Sequence, residues 1–222
     1  MAEITEGLYF SDVFKTELDH NLSREEVTIL AGSGAVRALV LGEVVGKITK
    51  GAAAAVADEG NTGQGAAGAV TLGAKAMVGD YTIQCITAAT NGGKFAVYDP
   101  DGRRLADLSV GTAYVSDHIN LTIADGDPDF VVGDLFTVTV AAGSGKVKAL
   151  NPSAVDGSQD AAGIMEGAYS APNGADGSGV AVVRDASFAP SYLTWPSGIT
   201  TGQKTAALAQ LADLGLIARK EA

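Results

Sequence analysis

The chain of 222 residues has one cysteine, one tryptophan, two histidines and six prolines. The lone Cys85 can close no internal disulfide, and in the alternating segment Tyr81 to Thr87 it reads as a small buried hydrophobe. His20 and His118 are the only histidines, so a histidine triad or zinc centre would need one of them. Neither has a partner at ligand spacing. Ser187 and Ser191 lack the setting of a nucleophile elbow. Positive charge is also scarce, with 15 Lys and Arg against 26 Asp and Glu and a net charge of −11. That balance argues against phosphate-rich nucleic acid and against anionic membrane. No apolar run reaches the length of a bilayer-spanning helix. Residues 1–6 lack the basic start and apolar stretch of a secretory signal, so synthesis in the host cytoplasm is expected. No catalytic residue, metal site or cofactor is assigned, and the chain is not expected to be an enzyme.

Glycine and small residues are abundant. There are 29 glycines, and Ala, Val and Thr fill much of the rest. Gly-rich turns between short β-branched runs predict a mainly β protein. Val27 to Thr49 reads as strand, turn, strand, with Leu39 to Ile48 one buried strand. From Gly51 to Lys146 the texture changes. Gly60 to Gly65 opens this stretch, and alternating runs follow at Tyr81–Thr87, Lys94–Tyr98, Arg104–Val110, His118–Ile123 and Asp134–Val140. The expectation is an inserted β-sandwich, immunoglobulin-like, over residues 51–146. Its host is a discontinuous β domain over 27–50 and 147–222.

Three motifs are set aside. Gly63-Gln-Gly-Ala-Ala-Gly68 has the glycine spacing of a dinucleotide fingerprint but runs into a strand, not a helix, and reads as a flexible linker. Gly143-Ser-Gly-Lys146 lacks the Ser or Thr of a phosphate loop, since Val147 follows. Asp125-Gly-Asp-Pro-Asp129 begins like a calcium loop. Phe130 and Phe136 stand where an EF-hand needs Gly and Glu. A surface turn is expected there, and weak cation binding stays open.

The two ends carry the remaining signals. Residues 1–26 follow neither helix nor strand spacing and carry Tyr9, Phe10 and Phe14. They read as an arm with exposed aromatics awaiting a partner, or as an arm folded back on its own domain. Near the other end, Thr200 and Gln203 form a capping box. Leu208, Leu211 and Leu214 recur at three-residue spacing, and Gly215 stands at the C′ position. That stripe predicts core or subunit interface.

Several segments, taken in order, resemble the lambda-type head decoration proteins of tailed phages. They are Ala162-Gly-Ile-Met165, Val180 to Phe188, Leu193-Thr-Trp195-Pro196, Lys204 and Leu214-Gly-Leu-Ile217. Ser23 to Ile29 and Val40 to Lys47 resemble the opening strands of longer members. The resemblance implies a homotrimer on the outside of the expanded capsid, at local three-fold sites, cementing the major capsid protein. It implies that the arm of residues 1–26 orders on the shell with Tyr9, Phe10 and Phe14 as anchors. It places Trp195, Pro196, Leu208 and Leu211 in the trimer or core motif. The inserted domain, absent from short members, leaves a second role open, an outward adhesion or glycan-binding module.

Overall fold

A computed structural model describes residues 7–219, which divide into two compact units. One joins Met1–Thr49 to Gly145–Ala222, and the other is Lys50–Ser144. The protein is mainly β with one long helix near its C-terminal end.

In the discontinuous unit five strands close a barrel, in the order Val147–Ala149, Arg24–Ile29, Gly177–Val182, Ala161–Met165, Val44–Lys47. Neighbours run antiparallel except where Val147 meets Ile29 in parallel register. Adjacent residues point to opposite faces of a strand, and here both faces are covered. Val45, Met165 and Ala181 join the cluster that contains Ile29, Leu39 and Val147. Their neighbours Val44, Ile164 and Val182 join the cluster containing Phe188 and Leu211. Double burial is why these segments read as apolar pairs and not as clean alternation.

The expected single strand from Leu39 to Ile48 is broken. Arg37–Leu39 pairs with Tyr169–Ala171, a turn follows, and Val44–Lys47 enters the barrel. Gly42 makes the turn with φ +79°, and a Cβ there would meet the Tyr192 carbonyl at 2.7 Å.

The helix Thr201–Asp213 starts as its capping box predicts. Thr200 Oγ1 accepts from the Gln203 amide at 3.2 Å, and Gln203 Oε1 accepts from the Thr200 amide at 2.9 Å. Its buried face is Ala207 and Leu211, with Leu208 half-buried and Leu214 exposed. Each three-residue step turns the helix by about 300°, so Leu214 has drifted about 120° from Leu208. Gly215 then turns the chain, and Leu216 packs back into the cluster of Leu211.

The second unit is built on a five-stranded antiparallel sheet. Its order is Leu108–Ser109, Gly92–Tyr98, Gly79–Ala89, Leu135–Ala142, Lys50–Ala57. Two short ladders, Ile119–Asn120 with Thr71–Leu72 and Ile123–Ala124 with Ala66–Ala67, supply side chains to the same core. One long sheet with two-residue ladders differs from the expected immunoglobulin-like pair of sheets. Runs read as strands at Arg104–Val110 and His118–Ile123 hold only two-residue strands, because turns and bridges interrupt them. The strand Lys50–Ala57 was not expected, since its alanines carry no β-propensity. It forms because Ala53 and Ala55 pack on the core opposite Val140 and Val138.

Gly63 to Gly68 is no flexible linker. The core centres on Phe95, Phe130 and Phe136, with ring centroids 5.1–5.9 Å apart and edge-on. The segment lies directly against Phe130, and a Cβ on Gly65 would sit 2.2 Å from its ring and 2.3 Å from the Ala124 carbonyl. The glycines are there for close approach. Buried Asp134 ties this loop to the segment after Phe130 by accepting the amides of Thr62, Gly63 and Val131 at 2.9–3.0 Å. Burial raises its pKa, but these three bonds override it and hold the carboxylate below its ordinary value.

Candidate interaction surface

Of the two readings of residues 1–26, a free arm and an arm folded back on its own domain, the described part follows the second. Residues 1–6 lie outside the described ones. Phe10–Val13 forms one helical turn, Phe14–Glu17 a strand, and Arg24 already belongs to the barrel. Phe14 and Phe10 therefore need correction as exposed anchors. Phe14 is 3% exposed, paired with Phe188 across the ladder and packed in the core. Phe10 is half-buried, stacked on Phe14 at 4.7 Å, with the Arg24 guanidinium 4.5 Å from its ring centre. The physical reason is tertiary: Phe14 meets Phe188 across the ladder, and Arg24 is held between Glu17 at 2.7 Å and Glu166. That network clamps the aromatic pair against the barrel. Of the three named aromatics only Tyr9, 58% exposed, faces solvent.

Phe14–Glu17, Ala186–Phe188 and Leu216–Ala218 form one three-stranded sheet with Ala186–Phe188 in the middle. The first pairs antiparallel and the last parallel to it, and Phe14 and Ala218 both sit opposite Phe188. The described chain thus enters and leaves this sheet at the same end. A groove of about 320 Å³ runs along it, with Leu18, 75% exposed, and Ile217 on its walls. On the barrel, a cavity of about 530 Å³ is lined by apolar Val27, Ala162, Val183 and Leu214 beside charged Glu26 and Lys47. The barrel cavity is mixed, with Glu25, Arg184 and Asp185 also on its walls, whereas the sheet groove is the more apolar of the two.

The remaining named residues lie elsewhere in the same unit. Trp195 and Pro196 are half-buried, with Lys204 Nζ 5.8 Å from the Trp195 ring centre. Trp195 and Leu208 pack at the margin of the core that holds Leu211, so the structure groups these three by burial.

Chemistry-bearing groups serve the fold. His118 Nδ1 lies 3.2 Å from the Tyr81 hydroxyl, which accepts the Met77 amide. His20 is exposed beside Asp19. Cys85 is buried, which raises its thiol pKa. Ser187 is bonded to Thr16 at 2.6 Å. In the acidic turn, Asp129 accepts the Asn91 amide. Among the described residues no group of three or more His, Cys, Asp or Glu is placed to hold a metal. No described helix is long and apolar enough to cross a membrane.

Residues 3–216 match the family of bacteriophage lambda head decoration protein D. The chain belongs to that family. Membership gives this head decoration family protein a structural role on the phage capsid. A comparison with curated proteins found no match. Among solved structures, two crystal forms of Xanthomonas campestris FlgL are similar to the decoration protein at 19% identity and a TM-score of 0.33. The match covers 50% of this chain and 34% or 33% of FlgL, and at that level it carries no argument.

Proposed function

We propose that this decoration protein binds the outside of the expanded head as a homotrimer at local three-fold sites and cements neighbouring major capsid subunits. The supporting observation, beside family membership, is the shared exit of both chain ends from one three-stranded sheet. Segments leaving one end of a sheet can engage one surface together, and three copies in a trimer multiply weak contacts into avidity. The attachment segment in this reading is residues 1–9, ending at exposed Leu8 and Tyr9. It is shorter than residues 1–26, because removing all of these would take out a sheet strand and open the barrel. Trp195, Pro196, Leu208 and Leu211 act in this reading as the support of the subunit interface, with Leu211 in the core.

Co-sedimentation with unexpanded and expanded heads of the source phage tests this. Saturable binding to expanded heads alone, near one copy per capsid subunit, is expected for the full chain. A chain lacking residues 1–9 should keep its melting temperature and lose binding. Full binding by that truncated chain would overturn the attachment role, and no binding by the full chain would overturn the cement role.

A further inference from the structure

Two strands of the barrel, Val44–Lys47 and Val147–Ala149, are the arms of a β-hairpin. Lys47 pairs with Val147, Gly46 with Lys148 and Val45 with Ala149, all antiparallel. Two more bonds carry the arms outward. The Ile48 amide donates to the Lys146 carbonyl and the Gly145 amide to the Ile48 carbonyl, both at 2.9 Å. Hairpins are ordinarily closed by about two to five residues. Here the whole unit Lys50–Ser144 stands between the arms of the discontinuous unit, its host. That unit brings its own ends together, since Lys50 and Ala142 are Cα partners in its sheet. Its core runs from Ala53 to Val140 and includes no host residue, and the two host clusters include none of its residues. At about 95 residues it is large enough to fold alone.

We propose that Lys50–Ser144 is a self-folding module that serves as the turn of this hairpin, and that the turn couples the module to its host. Folded, the module holds the two arms as a short loop would. Unfolded, it becomes a loop of about 95 residues, and closing the hairpin across it is about a hundredfold less favourable than across a tight turn. The arm Val147–Ala149 is also the strand that closes the barrel against Ile29. Loss of the module's fold is therefore felt in the barrel through chain connectivity alone. Such coupling is reciprocal. While the host stays folded, the module is about a hundredfold harder to unfold than it is by itself. A host bound to a head gains stability by mass action, which keeps the module in that protected state with no contact to the shell needed. This last consequence rests on the proposed cement role; the coupling does not.

The single tryptophan belongs to the host and the single cysteine to the module, so the full chain carries one reporter in each. Cys85 is 1% exposed and reacts with a thiol reagent in a short pulse only where the module has opened. Trp195 fluorescence follows the host. Urea midpoints are read from both reporters in the parent chain, in Phe14→Ala, which strikes the host core, and in Gly65→Ala, which strikes the module. The two midpoints are expected to separate in at least one of these three chains. About twenty Gly and Ser residues are then inserted between Ser144 and Gly145 of a chain whose midpoints are separate. The longer loop should weaken whichever unit unfolds first about tenfold, lowering the lower midpoint by about 0.7 M and the upper by less than about 0.2 M. Coincident midpoints in all three chains would mean one cooperative unit and overturn the module. Separate midpoints that the inserted stretch leaves unmoved would overturn the coupling. No head enters the experiment, so its failure is separable from failure of the cement role.

Discussion

Phe14→Ala separates a built-in segment from a free arm more sharply than any other change. The ring is 3% exposed, stacked on Phe10 and set opposite Phe188. Removing it loses about 2–3 kcal/mol of transfer free energy. It also loses about 1 kcal/mol of ring stacking and leaves a partly collapsed cavity. A total near 4 kcal/mol is expected. The single tryptophan, Trp195, lies in the same unit and reports its unfolding by fluorescence. With a urea slope of about 2 kcal/mol per molar, the midpoint should fall by about 2 M. Tyr9→Ala, at a 58% exposed position, should move it by less than about 0.3 M, since such changes stay within about 0.5 kcal/mol. The two variants should reverse their ranking in head binding, with Tyr9→Ala impaired at full stability. A midpoint shift below about 0.5 M for Phe14→Ala would refute the packing argument.

Three further outcomes follow from the packing and the charges. Gly65→Ala forces a Cβ onto the Phe130 ring at 2.2 Å and should destabilise the Lys50–Ser144 unit by about 2–3 kcal/mol, seen as a lower thermal midpoint of the β signal in circular dichroism. Asp134→Asn keeps the size but turns an amide NH₂ toward at least one backbone N–H donor, and should cost the same unit about 2–3 kcal/mol in urea unfolding. Burial raises the pKa of Asp156, but the Lys148 ammonium at 2.8 Å and the Ser158 hydroxyl and amide more than offset this, lowering it to about 2 from 3.8. A depressed folded pKa stabilises above the unfolded value and is lost as pH falls, so about 2 kcal/mol should disappear between about pH 4 and pH 2. Asp156→Asn should flatten that part of a Trp195-monitored stability profile; an unchanged acid limb would remove Asp156 from the account.

What could be read without coordinates was local or compositional. The cap at Thr200, the reversal at Gly215, the alternation of Tyr81, Ile83 and Cys85, and the mainly β class each depend on residues close in sequence, and each is present. Family membership was legible in the order of its motifs, and residues 3–216 match accordingly. The interaction surface was only partly legible. Tyr9 is exposed as expected, but the burial of Phe14 depends on Phe188, 174 positions away, and on Arg24 bridging Glu17 to Glu166. Nothing in the spacing of Phe10 and Phe14 encodes those partners. The glycines at 63 and 65 looked like slack because the ring they receive, Phe130, is far along the chain.

Side-chain type and near-neighbour backbone geometry thus determined by themselves the class of fold, the helix and its caps, and the acidic, single-cysteine character of the chain. Tertiary structure decided which apolar residues face two cores, which alanines become a strand, and that Phe10, Phe14 and Arg24 belong to the fold. Those outcomes turn on pairings across long loops. Closing such loops costs entropy that only the assembled cores offset, and a local pattern carries no record of that balance.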